Sequence, residues 1–129
     1  MTTLSAEELY QKGERYLRGD GVKADIKKAA EYFEQAINIG NLPEAKRELG
    51  YILLGNGLLH TDASNLDGLS AEIERHKRGE LLLEEAASEG DILAKKWFIK
   101  KPIFIQELNL TIIINSYNNL IKYKYKNNV

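Results

Sequence analysis

The sequence has no cysteine and, in 129 residues, only two prolines, one tryptophan and one methionine. Without thiols there are no disulfides and no thiolate chemistry, and a structural zinc site is not expected. An excess of one charge sign is missing as well: 18 basic residues stand against 19 acidic ones, for a formal net charge of −1. Such a chain has no net field to gather nucleic acid or an anionic membrane. Its basic clusters, Lys27-Lys28, Lys95-Lys96 and Lys100-Lys101, are short and separated by acids, which also argues against a nucleic-acid partner. The longest aliphatic run near the C-terminus, Ile112–Ile114, is far too short to span a bilayer. Residues 1–14 show no cationic start followed by an apolar stretch, so no signal peptide is read there and the cytoplasm is the expected compartment.

What is present is an ordinary globular composition, 43% hydrophobic and 29% charged. That is enough for one compact domain or for two to three helix pairs. Ser5-Ala-Glu-Glu8 reads as a capping box, in which the Ser5 hydroxyl accepts the Glu8 amide. A helix follows, with Leu9, Gly13, Tyr16 and Leu17 at helical spacing, and Gly19-Asp-Gly21 stops it. Asp25 is placed to cap a second helix whose apolar stripe includes Ile26, Ala29, Phe33, Ala36 and Ile37. Gly40 is expected to end it as a C′ glycine.

The pattern then restarts. Pro43 suits the first turn of a helix, where a missing N–H costs nothing. Ala45, Leu49 and Leu53 line one face before Gly55-Asn-Gly57 repeats the glycine stop. Gly13 and Gly50 are 37 residues apart (50 − 13). A later helix, expected over about Ser70 to Ser88, ends at Gly90. Gly40 and Gly90 are 50 residues apart, so the second unit carries about a dozen extra residues, assigned to 58–69. A third unit begins at Asp91 with Ala94 and Phe98, and Pro102 cuts it short. A glycine inside a helix costs roughly 1 kcal/mol relative to alanine. Gly13 and Gly50 in matching registers therefore imply close approach of a paired helix, with Ala29, Ala36 and Ala86 as the expected small partners.

The run Gly13, Tyr16, Gly19, Gly21, Val22, Asp25, Lys28, Ala29, Tyr32, Ala36, Gly40 closely resembles the Sel-1-like repeat, a relative of the tetratricopeptide repeat. The second unit matches more loosely, through Ala45, Leu49, Gly50, Leu53, Gly55, Gly57, Gly79, Leu82, Glu85, Ala86, Ala87 and Gly90, with Leu53 where the first unit has Tyr16. The resemblance implies an all-α fold: a short right-handed α-solenoid of antiparallel helix pairs. Repeats would cover 5–40 and 41–90, with a partial third at 91–100. It implies a concave surface that holds another protein. Members of that family act as adaptors in signalling and secretion, and small bacterial ones as immunity proteins against delivered toxins.

The segment 101–129 contains no Ala, Gly, Asp or Arg and is rich in Ile, Asn, Lys, Tyr and Leu. Alternation at Ile103 and Ile105, and from Leu108 to Ile114, is compatible with a strand. The same residues could form a helix capping the end of the stack, the reading favoured here for part of the segment.

Aromatic residues Tyr16, Tyr32, Phe33 and Phe98 are assigned to packing. A different stripe is the candidate binding surface: Arg47, Tyr51 and Leu54 at i, i+4 and i+7. Its counterparts are Tyr10, Glu14 and Leu17 in the first unit, and Lys96, Lys100 and Ile103 in the third. Tyrosine and arginine commonly carry interface energy. His60 with Asp62, and His76 with Glu72, Glu74 and Glu80, raise the question of metal or acid–base chemistry. No set of three ligands or nucleophile–base–orienter group emerges from them, so no cofactor and no catalysis are expected. Two protein-binding roles compete, inhibition of a partner and scaffolding with self-association through the solenoid ends. A small hydrolase is the third alternative.

Overall fold

The computed structural model describes residues 3–55 and 66–100, with positions 115, 118, 119 and 122. Among these the protein is all-α: α1 (Ala6–Arg18), α2 (Ile26–Gly40), α3 (Pro43–Gly55), α4 (Leu66–Ser88) and α5 (Ile92–Lys100). No helix among the described residues is long and apolar enough to cross a membrane.

Local chemistry sets the ends of the first two helices. The Ser5 hydroxyl accepts the Glu8 amide at 3.2 Å, and the Asp25 carboxylate accepts the Lys28 amide at 3.1 Å. Each satisfies an amide that the first helical turn leaves without a partner. Gly19 closes α1 in the left-handed region, at φ 74°. The end of α2 corrects the expectation for Gly40, which is the last helical residue; Asn41, at φ 53°, takes the left-handed cap. Gly40 serves packing, because a Cβ there would lie 2.4 Å from that of Ala6 on α1. Gly90, at φ 103°, does terminate its helix as expected.

The helices pack most extensively on neighbours in sequence, α1 against α2 and α3 against α4 above all. Between α1 and α2, Ala6 meets Gly40, Gly13 meets Phe33 and Tyr16 stacks on Tyr32, so contact partners run in opposite order along the two helices. Between α3 and α4 the order is again opposite: Lys46 reaches Glu85 and Glu89, Gly50 meets Leu83 and Gly79, and Leu53 meets Gly79. The partners of the helical glycines are larger than expected. A Cβ on Gly13 would sit 2.5 Å from the Phe33 ring, and one on Gly50 would sit 2.8 Å from Leu83 Cγ and 3.0 Å from the Gly79 carbonyl oxygen. The missing side chain makes room for a large knob in each pair. Phe33 and Leu83 are fully buried, and each contributes about 1.5–3 kcal/mol by leaving water.

Two core clusters result. Leu9, Ala29, Phe33, Ala36, Ala45, Leu49, Ile52 and Leu82 form the larger one across α1–α4. Leu83, Ala86 and Ala94 form the smaller, with Tyr51, Leu54 and Trp97 against it. Helices α1 and α3 are each 13 residues long, whereas α4 has 23 residues and α2 has 15. α4 starts at Leu66 rather than near Ser70, so the last residues of the stretch assigned as an insertion are helical; 58–65 lie outside the described residues. Phe98 is also corrected. It stays 39% exposed and meets Trp97 edge-on at 4.9 Å instead of entering the core.

Candidate functional site

The candidate stripe begins with Tyr10 and Glu14 on α1. Both are half-buried, and the Tyr10 ring tilts against Phe33 at 5.7 Å. On α3, about one turn past its start, Arg47 is buried at 8% exposure. Its Nη2 donates to the Tyr10 hydroxyl at 3.5 Å and to Glu48 Oε1 at 3.3 Å, while Nη1 pairs with Asp91. Asp91 in turn accepts the Ala94 amide at 2.8 Å and so caps α5. One buried guanidinium therefore ties α1, α3 and the start of α5 together. Tyr51, a turn further along α3, donates its hydroxyl to the Leu93 carbonyl at 3.4 Å.

The other stripe residues divide. Leu17 packs on the larger core. Leu54 turns to α4, with Cγ 2.9 Å from the place a Gly79 Cβ would take. Lys96 is exposed on α5, and Lys100 and Ile103 lie outside the described side chains. The structure thus brings Tyr10, Arg47 and Tyr51 into one polar seam with Glu14 beside it, and leaves Leu17 and Leu54 in packing roles. Arg47 spends its donors inside the protein, which the stripe spacing did not reveal. Its partners Glu48 and Asp91 were also missed. Asp91 carried a signal, since an aspartate directly after Gly90 and before an apolar helix fits an N-cap.

Charge in the seam is balanced at a cost. Burial works against the Arg47 cation, but Asp91 and then Glu48 outweigh it, and its pKa is raised. Burial, followed by the nearby Glu14 carboxylate, pushes the Glu48 carboxyl up, and Arg47 only partly offsets this. Tyr10 is raised by burial first and by Glu14 second. Glu14 pairs with Arg18 at 2.8 Å through Oε2, while its Oε1 is buried without a hydrogen-bond partner. On the α4 side of α3, buried Lys46 bonds Glu89 at 2.5 Å and Glu85 at 3.2 Å. Burial opposes its charge, and the two carboxylates more than compensate, raising its pKa.

The histidine-centred alternative gains little geometry. His60 and Asp62 lie outside the described residues, and Glu72 is engaged by Arg75 at 2.9 Å. Among the described residues no group of three or more His, Asp or Glu is placed to hold a metal ion. A cavity of about 410 Å³ opens at the α1–α2 turn, lined by Tyr16, Val22, Lys23, Ala24, Asp25 and Lys28. Its acid, Asp25, is committed to capping α2, and the Lys28 ammonium lies 5.3 Å from the Tyr16 ring centre. No family model, curated protein or solved structure matches the chain.

Proposed function

We propose that the chain is a protein-binding module, a short right-handed α-solenoid of antiparallel helix pairs of the Sel-1-like kind, whose first helices line the surface that holds a partner. The supporting observation is the seam in which Arg47 joins Tyr10 on α1, Glu48 on α3 and Asp91 before α5. The odd-numbered helices meet one another through that seam, and α2 and α4 meet through the Glu34–Arg78 ion pair. This is the contact pattern expected when helix pairs stack with like beside like. In this reading Arg47 fixes the spacing of the wall, and the contact surface is carried by Tyr10, Glu14 and Tyr51 with exposed Lys96. Proteins that deliver, regulate or inhibit another protein all use such a surface, so the partner class is a polypeptide.

The test is site-specific capture. A photoreactive benzophenone side chain at position 51 should cross-link a stoichiometric protein from native lysate. The same group at exposed Gln35 on α2 should capture none. Lys96→Glu should then weaken binding of the captured protein about tenfold or more without changing the helical content. Equal labelling from both positions, or none from position 51, would refute the proposal.

A further inference from the structure

Two carboxylates lie where α1 meets α3, Glu14 on the first helix and Glu48 on the second. They are enclosed to a similar degree, with side chains 15% and 17% exposed. Arg18 takes one Glu14 oxygen, Oε2, at 2.8 Å; the other, Oε1, is buried and has no hydrogen bond. A buried acceptor without a donor opposes folding, and more so when it is charged. Glu48 is also served on one oxygen: its Oε1 accepts from Arg47 Nε at 3.4 Å and from Nη2 at 3.3 Å.

The donors around this point are committed elsewhere. Arg47 directs Nη2 to Tyr10 and Glu48, and Nη1 to Asp91. Tyr51 donates to the Leu93 carbonyl, and the Tyr10 hydroxyl, a turn before Glu14, gives Oε1 no hydrogen bond. Glu44, at the start of α3, is an exposed acid and Asp91 is held by Arg47. From α2 the core receives Ala29, Phe33 and Ala36, none of which titrates. On the α4 side of α3, Lys46 pairs with Glu85 and Glu89. What remains is a proton on Glu48. Burial and then the Glu14 charge push that carboxyl up from its ordinary value, with Arg47 and Arg18 opposing. A proton there belongs on Oε2, since Oε1 accepts from Arg47, and a protonated carboxyl is a donor.

We propose that Glu14 and Glu48 form a proton-sharing carboxyl pair, Glu48 Oε2 donating to Glu14 Oε1, which fastens α1 to α3 in mild acid and loosens as pH rises. One proton replaces two facing negative charges by one and gives the orphaned oxygen its donor. The folded protein holds this proton more tightly than the unfolded chain. The stability it contributes is therefore fully present below the unfolded carboxyl value and lost as pH rises through the raised folded value. The Glu48 charge also acts on Tyr10 and Tyr51, so the proton alters the candidate contact surface. The pair depends on no partner, and failure to capture one at position 51 leaves it untouched.

Melting curves of the full chain read the coupling between the two side chains. Glu48→Gln carries an amide donor at every pH. It should raise the melting temperature at pH 7 by about a few degrees and lose that gain in mild acid. In a Glu14→Gln background the same substitution should lose most of the gain at pH 7, because the facing oxygen no longer belongs to a charged group. In a Glu44→Gln background, which removes an exposed carboxylate from the same helix, the gain should persist. An undiminished gain beside Glu14→Gln would show that burial alone holds the proton and would overturn the proposal. Loss of the gain beside Glu44→Gln would do the same, by assigning the effect to the general negative charge. The unaltered chain gives a second readout. The nuclear Overhauser cross-peak between the Glu14 and Glu48 γ protons should strengthen as pH falls from 7 through the titration of Glu48. A cross-peak that weakens or stays constant over that range would also overturn the pair.

Discussion

Phe33 occupies the space that a side chain at position 13 would fill, and Leu83 does the same for position 50. A helix interior normally favours alanine over glycine by about 1 kcal/mol. At Gly13 the ring overrides that preference, because a Cβ only 2.5 Å away forces Phe33 or the helix to move. Gly13→Ala is therefore expected to destabilise the protein by about 1–3 kcal/mol in urea unfolding. In a Phe33→Ala background the same change should become neutral or stabilising; additive effects would show that the ring is not the cause. Sequence periodicity located both glycines and implied a close neighbour. It could not name that neighbour, since the 3.6-residue period says which side of a helix faces inward and nothing about the side chain opposite. Asn41 was missed for a related reason. Glycine next door looked the better left-handed cap, but Gly40 is needed where α2 meets Ala6.

Among the elements, α1 and α2 could be read from their side-chain caps and α3 from Pro43 in its first turn. Ser5 and Asp25 fixed the starts of α1 and α2 because their oxygens have a defined task there. The start of α4 was misread. The helix was expected from about Ser70, yet it begins at Leu66 and already includes Gly68. The polar seam of α3 was legible only as a stripe, because the ion pairing of Arg47 depends on Asp91, 44 residues away in sequence. That seam gives a pH-dependent expectation. The folded protein holds the Glu48 proton more tightly than the unfolded chain does, through burial and then Glu14. Stability contributed by this group is therefore lost as pH rises from its unfolded value through its raised folded value. Glu48→Gln should raise the melting temperature at pH 7, and the gain should disappear in acid, where Glu48 itself is protonated. A lower melting temperature at pH 7 would mean that the Glu48 contact with Arg47 outweighs burial and Glu14.

Across the whole molecule, the paired glycine contacts carry the account. Gly13 and Gly50 stand 37 residues apart in the sequence (50 − 13), and the helices that carry them, α1 and α3, are each 13 residues long. The second half of each unit was harder to align, since α4 is eight residues longer than α2 (23 − 15). The candidate stripe emerged only in part. Tyr10, Arg47 and Tyr51 share a seam, while Leu17 and Leu54 sit where packing needs them. A surface for a partner and a surface for the neighbouring helix draw on the same residue types, and only three-dimensional placement separates them.

Everything rests on two helix pairs notched at equivalent glycines and set side by side. The nuclear Overhauser spectrum of the full chain tests this most directly. Cross-peaks are expected from the Gly13 α protons to the Phe33 ring and from the Gly50 α protons to the Leu83 methyls, with Gly13 shifted by the ring current of Phe33. Absence of either set of cross-peaks in the folded protein, or Gly13 and Gly50 facing unrelated parts of the chain, would contradict the account.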